Sequence, residues 1–271
     1  MLIFPNCKIN IGLQILNKRI DGYHAIETLL VPVKDLRDII EIKESKDFAF
    51  YCTGIDSTYI YPNNLCVKAY NLLKQVYHLP PVCIYLHKCI PIGAGLGGGS
   101  ADAAFVLLLI DKLFKLNLDA DLLKTYAQKL GSDCAFFIEN KPALGLEKGD
   151  VLFPIEVPAL KGKYIYIVKP TVHIRTAKAY ELVKPTMPDV LLRELITLPI
   201  DNWKDTIVND FEHIMCEQYP ALQKIKTMLY QQGAIYASMS GSGSSFYGIF
   251  EVKPEFNKNL PADYFQWIGK L

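Results

Sequence analysis

The sequence carries almost no net charge and contains no long hydrophobic run. Its 29 basic and 28 acidic residues leave a formal net charge of +1. A chain so close to neutral offers no electrostatic reason to expect a nucleic acid partner or an anionic membrane surface, so any bound anion would be recognised by local groups. The longest apolar run, from Ala103 to Ile110, is far too short to span a bilayer.

The sequence also lacks the cysteine patterns of disulfide frameworks and zinc modules. Its seven cysteines are scattered, and none forms a Cys-x-x-Cys pair. Cys83, His87 and Cys89 share one face of a predicted strand, but tetrahedral zinc needs a fourth ligand, and we predict no metal site there. The segment from Met1 to Asn6 does not have the features of a secretory signal, and we expect a cytoplasmic protein.

The order of predicted elements favours an α+β fold over a regular βαβ alternation. Apolar and polar residues alternate from Ile9 to Ile15, which predicts a half-buried strand. A helix is predicted after Asn64, its N-cap, and another after Asp119. The helix after Asp119 is predicted to end near Leu130, and another helix is predicted from about Ser100 to Leu116, with several short helices between residues 176 and 232. The other predicted strands are Leu29–Val31, Ile39–Ile42, Val82–Leu86, Tyr164–Val168, Ile235–Met239 and Phe246–Phe250.

A glycine-rich segment is the most informative feature of the sequence. Five glycines lie between Gly93 and Gly99, after a predicted strand and before a predicted helix. Glycine allows positive φ and lets an anion approach without a Cβ in the way. Successive N–H groups then form a concave cradle, and the helix N-terminus adds partial positive charge. We therefore predict a phosphate-binding loop, with a tightly packed turn as the simpler alternative.

Three other phosphate-binding classes compete for this segment. The P-loop pattern ends in Gly-Lys-Ser/Thr, and a protein kinase needs His-Arg-Asp and Asp-Phe-Gly; the sequence contains none of these. A dinucleotide site is harder to exclude, because Gly93, Gly95 and Gly98 satisfy Gly-x-Gly-x-x-Gly. A Rossmann unit also needs an acidic residue at the tip of the next strand. Since Asp119 and Asp121 begin a helix instead, this class is a minor alternative.

Three segments resemble the motifs of the GHMP kinases (galactokinase, homoserine kinase, mevalonate kinase and phosphomevalonate kinase). Lys8-Ile9-Asn10-Ile11 resembles the first motif, Pro91 to Ala104 the second, and Met239 to Ser244 the third. They occur in the family's order and span nearly the whole chain, which makes the resemblance far more specific than one glycine-rich loop.

The resemblance implies the GHMP kinase fold. That fold is α+β, with two lobes that each hold a mixed or antiparallel sheet and packed helices, and an active site between the lobes. Residues 1–155 would form an N-terminal ATP-binding lobe similar to domain 2 of ribosomal protein S5. Residues 156–271 would form the C-terminal GHMP kinase lobe.

Further segments resemble the branch of this family that phosphorylates a cytidine diphosphate-linked methylerythritol in the non-mevalonate isoprenoid pathway. They are Asp21–His24, Gly131–Phe137, and Asn64-Leu65 with Lys68-Ala69. The resemblance implies transfer of the ATP γ-phosphate to the 2-hydroxyl of that small molecule, with Mg²⁺ expected beside ATP. One departure is Pro5-Asn6-Cys7, where the family more often has Pro-Ala, and we expect no consequence for the chemistry.

By this resemblance, Lys8 and Asp133 are the catalytic residues. Asp133 would accept the alcohol proton, while Lys8 would keep it ionised and stabilise charge on the transferring phosphoryl group. Without the resemblance, an exposed carboxylate at a helix stop is the better explanation of Asp133. Ser100 or Asp102 could reach the metal or cap the next helix, and we assign no metal ligand. The predicted ATP-binding residues are Asn64, Pro91, Ile92, Gly93, Ala94, Gly95, Leu96, Gly97, Gly98, Gly99, Ser100 and Ala101.

The predicted substrate site includes Asn10, which shares a strand face with Lys8 by the period of two. A polar residue on a solvated strand face is the simpler alternative for Asn10. The serines and glycines of Ser240–Ser245 are predicted to close the phosphate site from its far side, with an ordinary hairpin loop as the alternative.

Aromatic residues are predicted to hold the cytosine. Tyr23 and His24 follow a turn at Asp21-Gly22, in a region that stacks on and hydrogen-bonds the base in the resembled branch. Thr176 and Tyr180 complete the predicted substrate residues, and Tyr180 is expected to form a sandwich with Tyr23. For Tyr23 and His24, a surface hairpin with an aromatic shoulder is the alternative.

Three rival functions are left open by the sequence. Another GHMP kinase, acting on mevalonate, homoserine or a sugar, is disfavoured by Asp21–His24, because those enzymes hold no cytosine. A non-catalytic relative is disfavoured by the presence of both Lys8 and Asp133. A dinucleotide-dependent oxidoreductase is disfavoured by the missing acidic strand tip.

Overall fold

The structure, a computed structural model, describes residues 1–55 and 63–271. The chain forms two compact units, and each unit is assembled from several stretches of sequence. The first unit consists of Met1–Cys7, Leu36–Ile92 and Gly97–Lys141, and the second of Lys8–Asp35, Gly93–Leu96 and Pro142–Leu271. The predicted division of the chain at residue 155 stays a prediction.

The described residues contain both strands and helices, which confirms the predicted α+β class. The strands are β1 (Leu2–Ile3), β2 (Asn6–Lys18), β3 (His24–Arg37), β4 (Ile39–Glu44), β5 (Ala49–Gly54), β6 (Val82–Lys88), β7 (Ala143–Leu146), β8 (Val151–Pro154), β9 (Tyr164–Lys169), β10 (Tyr236–Met239), β11 (Phe246–Phe250) and β12 (Phe265–Lys270). The helices are α1 (Leu65–Tyr77), α2 (Gly98–Phe114), α3 (Ala120–Gln128), α4 (Phe136–Glu139), α5 (Thr176–Leu182), α6 (Leu192–Leu195), α7 (Trp203–Thr206), α8 (Asp210–Gln218) and α9 (Pro220–Gln231). None of these helices is long and apolar enough to cross a membrane.

The first unit packs helices against a mixed sheet. The strand order is β1-β4-β6-β5, with β5 parallel to β6 and the other pairs antiparallel. The predicted caps of its helices are confirmed. Asn64 Oδ1 accepts a hydrogen bond from Cys66 N at 2.8 Å at the start of α1, and Asp119 Oδ1 accepts one from Leu122 N at 2.8 Å at the start of α3.

Helix α2 begins and ends two residues earlier than the sequence predicted. Its N-cap is Gly97, with φ of 69°, so neither Ser100 nor Asp102 caps it. It ends where Lys115 takes a left-handed conformation, with φ of 53°. The sequence signals failed at both ends, because glycine is a poor helix former and because a left-handed lysine has no local signature. The helix is buried along most of its length, as predicted.

Strand β2 is buried on both faces, whereas its alternating sequence predicted a half-buried strand. The apolar side chains between Ile9 and Ile15 are buried, and so are Asn10 and Gln14 on the opposite face. Gln14 shows why: its Nε2 donates to Val190 O at 3.1 Å, and its Oε1 accepts from Leu192 N at 2.8 Å. The alternation of apolar and polar residues therefore showed that the second face is polar, but not that it is exposed. The polar groups of this face are hydrogen-bonded by distant parts of the chain.

The second unit contains two sheets. One has the order β2-β3-β7-β8, and the other has the order β10-β11-β9-β12 with all its pairs antiparallel. A core of apolar side chains includes Tyr166 and Val168 of β9, Phe246 of β11, Met215 of α8 and Leu222 of α9. The predicted strands around residues 236–239 and 246–250 are confirmed as an antiparallel hairpin.

Candidate active site

Lys8 and Asn10 lie on the same face of β2, and both are buried, with 3% and 4% of their surface exposed. Lys8 Nζ donates to Asn10 Oδ1 at 2.5 Å, and Asn10 Nδ2 donates to Thr28 Oγ1 at 3.0 Å. Thr28 in turn donates to Gly12 O at 2.6 Å, so the amide orientation is set and holds the ammonium group in place. The alternative of a solvated polar position for Asn10 is therefore wrong.

The Gly93–Leu96 part of the glycine-rich segment belongs to the second unit and lies close to two other loops. Gly95 has φ of +75°, and a Cβ added to it would lie 2.0 Å from Ser240 O. Gly93 has φ of +62°, and its Cβ would lie 2.5 Å from Cε1 of His173. Glycine is needed at both positions, because left-handed backbone and close approach together exclude a side chain.

The loop Ser240–Ser245 joins β10 to β11 and packs on this glycine-rich part. Ser240 Oγ donates to Gly95 O at 2.8 Å and accepts a hydrogen bond from Asn10 N at 3.2 Å. Ser245 N, at the end of the loop, donates to Ala94 O at 3.1 Å. The loop is thus a hairpin connection, and it is also the place where the third motif touches the first and the second.

The remainder of the segment, Gly97 to Ala101, belongs to the first unit and begins α2. The first helical hydrogen bond runs from Ala101 N to Gly97 O at 2.9 Å, and no described side chain caps this end. The N–H groups of Gly98, Gly99 and Ser100 therefore have no helical acceptor, and the helix dipole adds partial positive charge. This end of α2 fits a phosphate group.

Asp133 lies in the turn between α3 and α4, in the first unit. A hydrogen bond from Cys134 N to Gly131 O at 3.1 Å closes the turn. Burial raises the pKa of the Cys134 thiol to about 12, and this thiol hydrogen-bonds Ser100 in the first turn of α2. The turn that carries Asp133 therefore lies beside the start of α2. Because Lys8 belongs to the second unit, its pairing with Asp133 stays a prediction.

Three charged side chains form a buried cluster next to α2. Lys88 Nζ lies 2.7 Å from Asp102 Oδ2 and also contacts Asp38 Oδ2. Burial lowers the pKa of Lys88, but its two carboxylate partners raise it by more, so the ammonium stays charged. Burial raises the pKa of Asp102 to about 8, against the attraction of Lys88 and with the help of the Asp38 charge. Among the described residues, no group of three or more His, Cys, Asp or Glu side chains is placed to hold a metal.

An aromatic cluster follows the Asp21-Gly22 turn. The His24 ring stacks on Tyr180, with centroids 5.0 Å apart and an interplanar angle of 17°. Tyr180 and Phe211 form a T-shaped pair, with ring centroids 4.8 Å apart. Tyr23 is 59% exposed, and Lys148 Nζ lies 5.1 Å from its ring centroid. The structure thus brings His24 and Tyr180 together, while the sandwich of Tyr23 with Tyr180 stays a prediction.

Thr176 is the first residue of α5, and its hydroxyl lies 2.9 Å from the hydroxyl of Ser242. The predicted substrate residue is therefore joined to the serine–glycine loop.

Sequence reasoning missed four residues that touch this site, namely Thr28, His173, Asn209 and Tyr247. The Tyr247 hydroxyl donates to the backbone oxygen of Asn10 at 2.8 Å. Only Asn209 had a local signal, because asparagine before an acidic helix start is a common N-cap. The others are brought in by strands and loops that are distant in sequence.

Comparison with known protein families identifies the class of this fold. The model of the GHMP kinases N terminal domain matches residues 64–141, and that of the GHMP kinases C terminal matches residues 192–259. The chain belongs to the GHMP kinases, as its three motifs predicted.

Several curated relatives that match nearly all of the chain carry the name 4-diphosphocytidyl-2-C-methyl-D-erythritol kinase. The protein of that name from Parabacteroides distasonis is 45% identical over 272 residues, which cover 100% of each chain. The one from Bacteroides thetaiotaomicron is 48% identical over 255 residues, covering 93% of this chain and 92% of the relative.

Solved structures agree with these relatives. A crystal structure of 4-(cytidine 5'-diphospho)-2C-methyl-D-erythritol kinase superposes with a TM-score of 0.78 at 29% identity, covering 93% of this chain and 90% of the other. Homoserine kinase from Cytophaga hutchinsonii superposes with a TM-score of 0.64 at 18% identity, covering 90% of this chain and 84% of the other. The second likeness concerns the fold alone, and the GHMP kinase fold is confirmed.

Proposed function

We propose that the chain uses ATP to phosphorylate the 2-hydroxyl of 4-diphosphocytidyl-2-C-methyl-D-erythritol, a step of the non-mevalonate route to isoprenoid precursors. The observation that carries this proposal is a single hydrogen-bonded cluster in which Lys8 and Asn10 of the first motif meet Gly95 of the second and Ser240 of the third. Relatives named for this reaction are 45% and 48% identical over 100% and 93% of the chain.

As a GHMP kinase the chain uses ATP, which supplies the phosphoryl group that is transferred. We propose that Pro91 to Ala101 hold its phosphates, because the start of α2 has no side-chain cap and the glycines at positions 93 and 95 take positive φ. Asn64 is proposed on the nucleotide side, in addition to its role as the cap of α1. Mg²⁺ is expected with ATP, and no protein ligand is assigned to it.

The two proposed catalytic residues have different roles, one in proton transfer and the other in charge stabilisation. Asp133 accepts the proton of the substrate hydroxyl, and its turn is held by the buried Cys134 and Phe136. Lys8 stabilises negative charge on the transferring phosphoryl group, and its hydrogen bond with Asn10 orients its ammonium before substrate binds. Little reorganisation is then needed during the reaction.

The proposed acceptor site uses the aromatic cluster. Tyr23 and Tyr180 are the proposed stacking partners of the cytosine, and His24 is proposed to hydrogen-bond the edge of the base. Asn10 and Thr176 are proposed to contact the remainder of the substrate. The stack between His24 and Tyr180 supports this assignment, because it limits the orientations of the imidazole.

The proposed lobes and location complete this assignment. The two family matches fall on either side of residue 155, which supports an N-terminal lobe at residues 1–155 and a C-terminal lobe at residues 156–271. None of the seven cysteines, all within the described residues, forms a disulfide. We propose a cytoplasmic enzyme with a small-molecule substrate and no nucleic acid or membrane partner.

An ADP-release assay tests the proposed reaction. Purified protein, ATP and Mg²⁺ would be combined in turn with the cytidine-bearing alcohol, mevalonate, homoserine and galactose. We expect turnover with the first alcohol. Turnover with another member of the panel, and none with the cytidine-bearing alcohol, would assign the chain to a different GHMP reaction.

The role of Asp133 is tested by Asp133→Asn, which keeps the shape of the side chain and removes the proton acceptor. We expect kcat to fall by about 10²- to 10⁴-fold, with the affinity for ATP nearly unchanged. The matched control is Asp121→Asn on the exposed side of α3, for which we expect normal kcat. Full activity of Asp133→Asn would remove this carboxylate from the mechanism.

A further inference from the structure

A buried asparagine outside the three motifs holds the serine–glycine loop in place. Asn209 is 4% exposed and directly precedes α8. Its Nδ2 donates to Met239 O and to Gly241 O, both at 2.8 Å. Its Oδ1 accepts from Phe211 N at 3.0 Å and so caps α8. The amide group donates two hydrogen bonds and accepts one, a combination that no other short side chain provides.

Glu212, in the first turn of α8, holds the end of β10 by accepting hydrogen bonds from donor groups of that strand. Glu212 Oε2 accepts from Ser238 Oγ at 2.9 Å and from Met239 N at 2.8 Å. Its other oxygen is ion-paired with Lys226. Because Asn209 binds the carbonyl of Met239 while Glu212 binds its N–H, the end of the strand is held against α8 from both sides of that residue.

The two carbonyls that Asn209 binds flank Ser240. The position of Ser240 is therefore set by α8. Its hydroxyl in turn donates a hydrogen bond to Gly95 O and accepts one from Asn10 N. No space is left between Ser240 and Gly95, since a Cβ added to Gly95 would lie 2.0 Å from Ser240 O. A shift of Ser240 must consequently move the glycine-rich segment or β2.

We propose that Asn209 is a positioning residue for phosphoryl transfer, acting through Ser240 on the Gly93–Leu96 segment and on the strand that carries Lys8. The inference rests on the proposed function, because it assumes that these two elements hold ATP and the catalytic lysine. Misplacement of reacting groups by about 1 Å costs about 10²-fold in rate, so the loss of this support should be visible in kinetics.

The informative variant is Asn209→Ser. A serine hydroxyl still caps α8, but its single short donor cannot serve both carbonyls. The matched control is Asp119→Ala, which removes the cap of α3, a bond of 2.8 Å to Leu122 N in the first unit. Each variant loses a buried or capping hydrogen bond, so both should lower the melting temperature.

The two variants should differ in function and in local exchange. For Asn209→Ser we expect kcat/KM for ATP to fall about tenfold to about a hundredfold relative to Asp119→Ala. We also expect faster amide hydrogen exchange within Ser240–Ser245 in the absence of nucleotide. A value of kcat/KM within about twofold of the control, with unchanged exchange in this loop, would overturn the inference and leave Asn209 a structural cap.

Ser240→Ala tests the route and remains decisive if Asn209→Ser fails to fold. It removes the hydroxyl that bridges Gly95 and Asn10 and leaves both bonds of Asn209 in place. We expect a loss of kcat/KM similar to that of Asn209→Ser, and a double variant that loses little more than either single one. Normal kcat/KM for Ser240→Ala, or losses that simply multiply in the double variant, would refute action through Ser240.

Binding of a non-hydrolysable ATP analogue separates this inference from the choice of acceptor. Its affinity does not depend on which alcohol is phosphorylated. If the wild-type chain prefers another alcohol, the proposed acceptor is wrong, and the comparison of Asn209→Ser with Asp119→Ala proceeds with that alcohol. If analogue affinity and kcat/KM both match the control, the positioning role fails while the proposed reaction stands.

Discussion

The carboxyl group of Asp102 should make this protein less stable as the pH rises, and Asp102→Asn should abolish that dependence. Asp102 is 2% exposed and shares Lys88 with a second buried carboxylate, Asp38. Its Oδ1 is buried and accepts no hydrogen bond. The cluster therefore holds two carboxylates and one ammonium, and a proton on Asp102 relieves the excess negative charge.

The sign and size of the effect follow from the pKa. Burial raises the pKa of Asp102 from 3.8 to about 8. Between these values the folded protein holds a proton that the unfolded chain has lost, so stability falls as the pH rises through this window. The slope is about 1.4 kcal/mol per pH unit. From about pH 5 to about pH 7, the loss is about 3 kcal/mol for this one group.

Urea unfolding at several pH values measures the effect. Asparagine has nearly the same shape and no proton to lose, so the variant should gain about 3 kcal/mol over wild type between about pH 5 and about pH 7. Other titrating groups act equally in both proteins and cancel from the difference. Asp121→Asn, at a side chain that is 94% exposed, is the control and should show a constant difference. A constant difference for Asp102→Asn as well would refute the reasoning.

Two further predictions concern the phosphate loop and the base. Gly95→Ala should lower kcat/KM by about 10²-fold or more, because its Cβ would lie 2.0 Å from Ser240 O. The control is Gly162→Ala, which is also at positive φ but has nothing within 4 Å, and it should lower stability without loss of activity. Equal activity of the two variants would contradict this. His24→Ala should raise KM for the cytidine-bearing alcohol about tenfold and leave KM for ATP unchanged, while His213→Ala, at a side chain that is 83% exposed, changes neither. A rise in KM for ATP alone would place His24 on the nucleotide side.

Local signals in the sequence were sufficient for the features that depend on neighbouring residues. The caps Asn64 and Asp119 were predictable because a cap is a bond to an N–H two or three residues away. The hairpin around Ser240–Ser245 follows from two apolar runs and a serine–glycine turn. The glycine-rich segment was recognisable because positive φ and close approach leave few choices of residue. The family itself was identifiable because each motif is contiguous.

Features that depend on contacts between distant residues could not be read from local patterns. Asn10 has the sequence signature of a solvated position, yet it is buried, with one hydrogen bond to Thr28 and another to Ser240. The stack of His24 on Tyr180 joins residues far apart in the chain. Asn209 resembles any helix cap in sequence, and its two bonds to the serine–glycine loop exist only because β10 ends beside α8.

The sequence alone determined the chemistry available to this protein: a glycine-rich anion cradle, a lysine with an asparagine two residues away, and a carboxylate after a helix. Those depend on residue type and short spacing, which the chain carries without folding. Tertiary structure decided which of these groups meet, since hydrogen bonds such as those from Ser240 to Gly95 and from Asn10 to Ser240 join segments separated by 145 and 230 residues. Only packing of the whole unit brings such partners within hydrogen-bonding distance and excludes the water that would otherwise compete for them.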